Sequence, residues 1–183
     1  MSRRVIWTLP AILGIVLAVV LSDAADKTRP APGSEQYIIR EVRHELIMLP
    51  FYSVFDNFDY RVNGHVVTLM GQVTRPTLKS DAENVVKTIE GVAKVINDIR
   101  VLPLSPMDNG IRIAVFRKIY EWDSPLFIYS QRAVPQIHII VDNGNVTLAG
   151  TVDSQSDKEI AGMRTNQVPG IFSVKNDLVV KKK

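Results

Sequence analysis

Cysteine is absent from all 183 residues. That absence excludes disulfide staples, thiolate nucleophiles, cysteine-ligated metal and attachment of a lipid to an N-terminal cysteine. Histidine is nearly as scarce, with three copies, His44, His65 and His138. None has a nearby nucleophile with an orienting acid, so a hydrolase triad has no support. Glu41, His44 and Glu45 have a spacing that gathers side chains on one side of a helix. With one His among them and no equivalent set later in the chain, they read as a solvated face, not as metal ligands. No phosphate-cradling glycine loop or dinucleotide fingerprint occurs. Charge of either sign is also modest: 22 Lys and Arg against 19 Asp and Glu give a net +3 and a pI near 9.2. There is no basic stripe or stacking platform for nucleic acid, although the Lys181-Lys182-Lys183 ending favours anionic surfaces. The residues therefore assign no catalytic group, no metal and no cofactor.

What is present is a folded composition, 46% hydrophobic and 22% charged, and a repeat. Val67-Thr68-Leu69-Met70-Gly71-Gln72-Val73 returns as Val146-Thr147-Leu148-Ala149-Gly150-Thr151-Val152, 79 residues later. The same offset carries Lys79, Ala82 and Gly91 onto Lys158, Ala161 and Gly170 without a gap. It continues through Val95, Asn97, Asp98 and Val101, which fall on Val174, Asn176, Asp177 and Val180. A gapless repeat of this length implies two copies of one small domain. At about 75 residues each, such domains bury modest cores and gain from packing on one another.

The N-terminus reads as an address label. Ser2-Arg3-Arg4 precedes a 17-residue apolar run, Val5 to Leu21, and a small-x-small site at Ser22 and Ala24. Residues 1–25 thus read as a secretory signal cleaved near Ala24, or as an uncleaved anchor, since the run reaches the lower limit of a spanning helix. Residues 26–35 read as a Pro/Gly/Ser tether with nothing to bury. A first domain, 36–103, follows. Its helix runs from about Glu35 to Leu49, with Ile38, Ile39, Val42, Leu46 and Leu49 inward. Phe58 to Val62 alternates as a half-buried strand, Asn63-Gly64 signals a tight hairpin, and Val67 to Val73 returns. A second helix spans about Thr77 to Ile89, and Val95 to Val101 makes a third strand.

After a linker at 104–110 the pattern restarts in a second domain, 111–183, which ends in the basic tail. Its helix runs from Ile111 to Trp122, its strands from Gln136 to Val141 and Val146 to Val152 around Asn143-Gly144. A weaker helix, about Ser156 to Gln167, leads to a last strand, Val174 to Val180. Gly162, Arg164 and Thr165 replace better packing residues in that helix, so this repeat reads as less committed to its own core. The fold class is α+β: two tandem α-β-β-α-β domains, each a three-stranded mixed sheet covered by two helices, the βαβ crossover being right-handed.

Gly71, Gly91, Asn97, Gly150, Gly170 and Asn176 read as structural. Glycine within a strand allows close backbone approach, glycine after a helix stops it, and Asn bonds neighbouring backbone more readily than a cation. The V-x-L-x-G-x-V strand, the following helix with its inward Ala, and the V-x-N-D-[IL]-x-V ending resemble the BON domain, named for bacterial osmotically inducible and nodulation proteins. Val67, Leu69, Gly71, Val73, Gly91, Val92, Val95, Asn97 and Asp98 carry the resemblance. In the second copy Val146, Leu148, Gly150, Val152, Gly170, Ile171, Val174, Asn176 and Asp177 do so. The resemblance implies an exported, periplasmic protein without catalytic activity, associated with phospholipid binding and with envelope integrity under osmotic stress.

One stretch departs from the repeat. Ile111, Val115, Ile119 and Trp122 form one apolar stripe, and Ile113, Phe116 and Tyr120 form a second whose counterpart in the first repeat is charged. Arg112, Arg117 and Lys118 flank them, and Leu126, Phe127 and Tyr129 lie beyond Pro125. Basic residues beside aromatic rings suit a bilayer interface. Ile113, Phe116, Arg117, Lys118, Tyr120, Trp122, Phe127 and Tyr129 are therefore the candidate surface for an anionic phospholipid membrane or, through the same face, for an envelope protein or a second copy of the chain. Packing of the second stripe against the first repeat is the competing expectation.

Overall fold

The computed structural model describes residues 30–182. The signal or anchor expected at residues 1–25 lies outside them. Among the described residues no helix is long and apolar enough to cross a membrane. The first repeat consists of α1 (Glu35–Ile47), β1 (Asn57–Asn63), β2 (Val66–Val73), α2 (Pro76–Lys87), β3 (Lys94–Asn97) and β4 (Arg100–Val101). The second consists of α3 (Pro106–Ile119), α4 (Phe127–Ser130), β5 (Ile137–Asp142), β6 (Asn145–Val152), α5 (Gln155–Asn166), β7 (Ser173–Asn176) and β8 (Val179–Val180). In each, the central strand pairs antiparallel with the first and parallel with the third.

The third strand is broken in both repeats, β3 from β4 and β7 from β8, both pieces still on the central strand. The register places the breaks opposite Gly71 and Gly150, whose φ values of 108° and 112° turn the central strand's peptide planes out of the ladder. Asn97 fills the gap: its Nδ2 donates to the Lys79 carbonyl at 2.9 Å and its Oδ1 accepts from the Ile99 N–H at 3.2 Å. Asn176 repeats both bonds, to Lys158 and from Leu178. Gly91 and Gly170 follow α2 and α5 at positive φ.

Each repeat has its own core. Ile38, Val42 and Leu46 of α1 meet Val67, Leu69 and Val73 of β2 and Leu78, Ala82 and Val86 of α2. The second core assembles the equivalent residues and adds Tyr120, Leu126, Tyr129, Ile137 and Ile139. Both cores, with the hydrophobics packed on them, are drawn from residues 37–180, so a chain beginning at Asp26 retains them whole. The second repeat is not the looser one. Thr165 is fully buried with its hydroxyl on the Ala161 carbonyl, and the missing Cβ of Gly162 leaves room for the Asn176 amide. Arg164 binds the Lys118 carbonyl, Glu121 and Asp123, and so ties α5 to the C-terminal end of α3.

Two boundaries differ from the sequence reading. Helix α3 starts at Pro106, inside the expected linker, because Ser105 caps it by accepting from the Asp108 N–H at 3.1 Å and Pro106 suits the first turn. The end of the tether is also fixed. Gly33 lies against the Gly91 backbone, Ser34 caps α1, and the Glu35 carboxylate accepts from the Gly64 N–H at 3.2 Å.

Candidate functional site

The repeats are locked together by a segment of the first. Between α1 and β1 the chain passes over the second repeat, where the Ile139 N–H donates to the Val54 carbonyl at 2.8 Å. Val54 and Phe55 pack on the second core, and Arg100 pairs with Asp142 at 2.9 Å. Asp56, fully buried, holds the segment in shape by accepting from Ser53 and Thr74 through both backbone and hydroxyl donors.

The second stripe of α3 is committed to this junction. Phe116 lies edge-on to Phe55 with ring centroids 6.2 Å apart and to Tyr120 at 5.0 Å. Tyr120 is 8% exposed and Tyr129 3%. The Tyr129 hydroxyl accepts from the Asp153 N–H at 2.8 Å and donates to Asp157 at 2.9 Å. Tyr120 and Tyr129 are thus interior residues, correcting their placement on an external surface, and half-buried Phe116 packs between Tyr120 and Phe55 of the first repeat's loop. Lys118 is half-buried and spends its charge on Glu121 at 3.1 Å.

What remains outside is a corner at the C-terminal end of α3. Trp122 is 84% exposed and meets half-buried Phe127 edge-on at 5.4 Å. Ile128, which the sequence reading missed, is 60% exposed beside it on α4. Ile113 and Arg117 are exposed along the same helix. The signal for this corner lies in the repeat offsets. Strands repeat at 79 residues but Ile38, Val42 and Leu46 repeat at 73 in Ile111, Val115 and Ile119. The second repeat therefore carries six extra residues between its first helix and first strand, and they form α4 and its flanks.

A cleft of about 510 Å³ also opens between the repeats, lined by Arg43, Tyr52, Phe58, Tyr60, His138 and Lys181. His138 is 7% exposed, its Nε2 is 3.4 Å from the Tyr52 hydroxyl, and its Nδ1 is buried without a partner. Burial lowers its pKa from the ordinary 6.5, against the opposing pull of Asp56 and nearby carbonyls. The fold thus favours the neutral ring, whose stabilising effect is complete above the unfolded value and is lost as pH falls from there through the depressed folded value. Acidification from about pH 7.5 to 5.5 is expected to lower the melting temperature, and His138→Phe to flatten that slope. An unchanged slope in the variant would show that His138 is not the group responsible. Among the described residues no three His, Asp or Glu side chains gather to hold a metal.

Comparison with known proteins agrees with the internal repeat. The profile of the BON domain family matches residues 49–103 and 128–182. Osmotically-inducible protein Y of Escherichia coli (strain K12) is 31% identical over 118 residues, which are 63% of this chain. The match spans 58% of that protein's length. Two solved structures of CdsD, a structural protein of the type III secretion system of Chlamydia trachomatis, are 14% identical. One covers 79% of this chain and 92% of its own at a TM-score of 0.30. The other, the C-terminal domain, covers 79% and 98% at 0.27.

Proposed function

The chain belongs to the BON domain family, and on that premise we propose a non-enzymatic, exported envelope protein of osmotic stress that docks on anionic phospholipid. The name of the Escherichia coli relative supports the osmotic-stress setting, and the basic start and apolar run of residues 1–25 support export to the periplasm. The observation that carries the lipid reading is the exposed Trp122–Phe127–Ile128 corner, with Arg117 on the adjoining helix face. A tryptophan left in water suits the headgroup level of a bilayer, where its ring is buried and exposed Arg117 on the helix meets anionic lipid.

The test is co-sedimentation of residues 26–183 with neutral and with anionic vesicles, alongside Trp122→Ser/Ile128→Ser. Each side chain contributes about 1.5–3 kcal/mol when buried, so the double variant should bind anionic vesicles on the order of a hundredfold more weakly. Salt should weaken the parent's binding as well. Absence of parent binding to either vesicle would sink the lipid reading and leave an envelope protein as the partner of this corner.

A further inference from the structure

A second apolar feature lies at the other end of α3, where the first repeat's loop meets the linker. Phe51 is 67% exposed and sits at φ 68°, a backbone conformation that costs a bulky residue stability. Arg75 covers one face of its ring, with the guanidinium carbon 4.8 Å from the centroid. Leu104 is 96% exposed. Both residues line a groove of about 570 Å³ together with Arg75, Asn109 and the buried Arg112, and no Asp or Glu lines it.

This groove and the Trp122 corner lie at opposite ends of α3. Asn109 lines the groove, and Ile113 and Arg117 follow at successive turns on the exposed side of α3. Over 14 residues the helix reaches about 20 Å, and Trp122 stands just beyond its end. Exposed apolar groups therefore stand at both ends of α3, with Arg75 at the groove and Arg117 exposed on the helix between.

We propose that the Phe51–Leu104 groove is a second bilayer contact, so that the first repeat's loop and the linker dock on the same anionic membrane as Trp122. The proposal rests on the lipid reading above. A flat bilayer covers side chains as exposed as Leu104 and Phe51, whereas a small molecule within the groove leaves most of both in water. The strained backbone at Phe51 holds its ring outward for that contact. Arg75, stacked on the ring, supplies the cation beside it.

The test uses residues 26–183 with Trp122→Phe and Phe51→Trp, which leaves one tryptophan, at position 51. Vesicles of equal parts phosphatidylcholine and phosphatidylglycerol carry brominated acyl chains as the quencher. Quenching and a blue shift at position 51, matching those of Trp122 in the parent, are expected. Quenching of Trp122 without any at position 51 overturns the second contact while leaving the first. A blue shift on concentrating the protein without vesicles assigns the groove to a second copy and likewise overturns it. Phe51→Gly separates binding from folding: it relieves the strain and raises the melting temperature, yet weakens vesicle binding by about tenfold. Unchanged binding by that variant rejects the proposal.

Discussion

Gly150→Ala is expected to unfold the second repeat at temperatures where the parent is native. A Cβ at this position falls 2.2 Å from the Gln136 carbonyl oxygen, the same oxygen that accepts from the Thr151 N–H at 2.9 Å. The obstacle is backbone, so no rotamer change relieves it. Gly150 also sits at φ 112°, outside the region alanine tolerates. Gly71 repeats the arrangement, with its Cβ position 2.1 Å from the Asn57 oxygen at φ 108°. Strain and displacement together should cost more than about 3 kcal/mol, or roughly 6–12 °C in melting temperature for a chain of this size. Circular dichroism measures the loss, and Trp122 fluorescence reports it for the second repeat. A loss below about 1 kcal/mol would mean that the strand shifts freely here, and the close-approach account would fall.

The second large effect is expected at Asp108. Its carboxylate is 1% exposed and accepts from the Asn143 N–H at 2.9 Å and the Gly144 N–H at 2.8 Å, closing the β5–β6 turn. One helical turn on, Arg112 is buried with its Nε unpaired and its Nη2 on the Val141 carbonyl. Burial pulls the guanidinium pKa down, and Asp108 is the largest opposing influence. Asp108→Ala leaves two N–H groups without their acceptor and removes that charge from a buried cation, a loss of about 2–4 kcal/mol. Glu35→Ala is the matched control. Glu35 makes the corresponding contact to Gly64 from an exposed position, where water replaces it, so the expected loss is below about 1 kcal/mol. Equal losses in urea unfolding would show that burial does not set the difference.

Local signals in the chain were read well where they act alone. Asn143-Gly144 forms the second hairpin turn as read, whereas the first falls one residue later than expected, on Gly64-His65, with Asn63 still paired to Val66. In α1, Ile38, Val42 and Leu46 are buried as read, while Ile39 is exposed. Ser105-Pro106-x-Asp108 is also a local helix-start signal, but Gly110 drew the expected boundary five residues too late. The packing of the repeats was harder to read, because it joins residues far apart in sequence. One trace of it was present. Ile137 to Val141 is nearly uninterrupted apolar and buried throughout, whereas Phe58 to Val62 alternates. A strand covered on both faces reads that way, and the cover here is the first repeat. Of the candidate surface, Arg117 and Trp122 stand in solvent, although Trp122 continues the stripe of Ile111, Val115 and Ile119 expected to meet the core, while Phe116 is half-buried and Tyr120 buried. Helical periodicity identifies a second stripe but cannot name what covers it.

The Val54–Ile139 contact gives the pair of repeats a direction. The first repeat lends its loop to the edge of the second, but the second keeps its own: through Tyr129 that longer loop is bound to Asp153 and Asp157 of its own repeat. The first repeat's corresponding edge is closed in another way, since the Tyr60 N–H turns to the Asp59 carboxylate at 2.8 Å. The two repeats are thus joined asymmetrically: among the described residues the contact made by the first repeat's loop has no counterpart made by the second's.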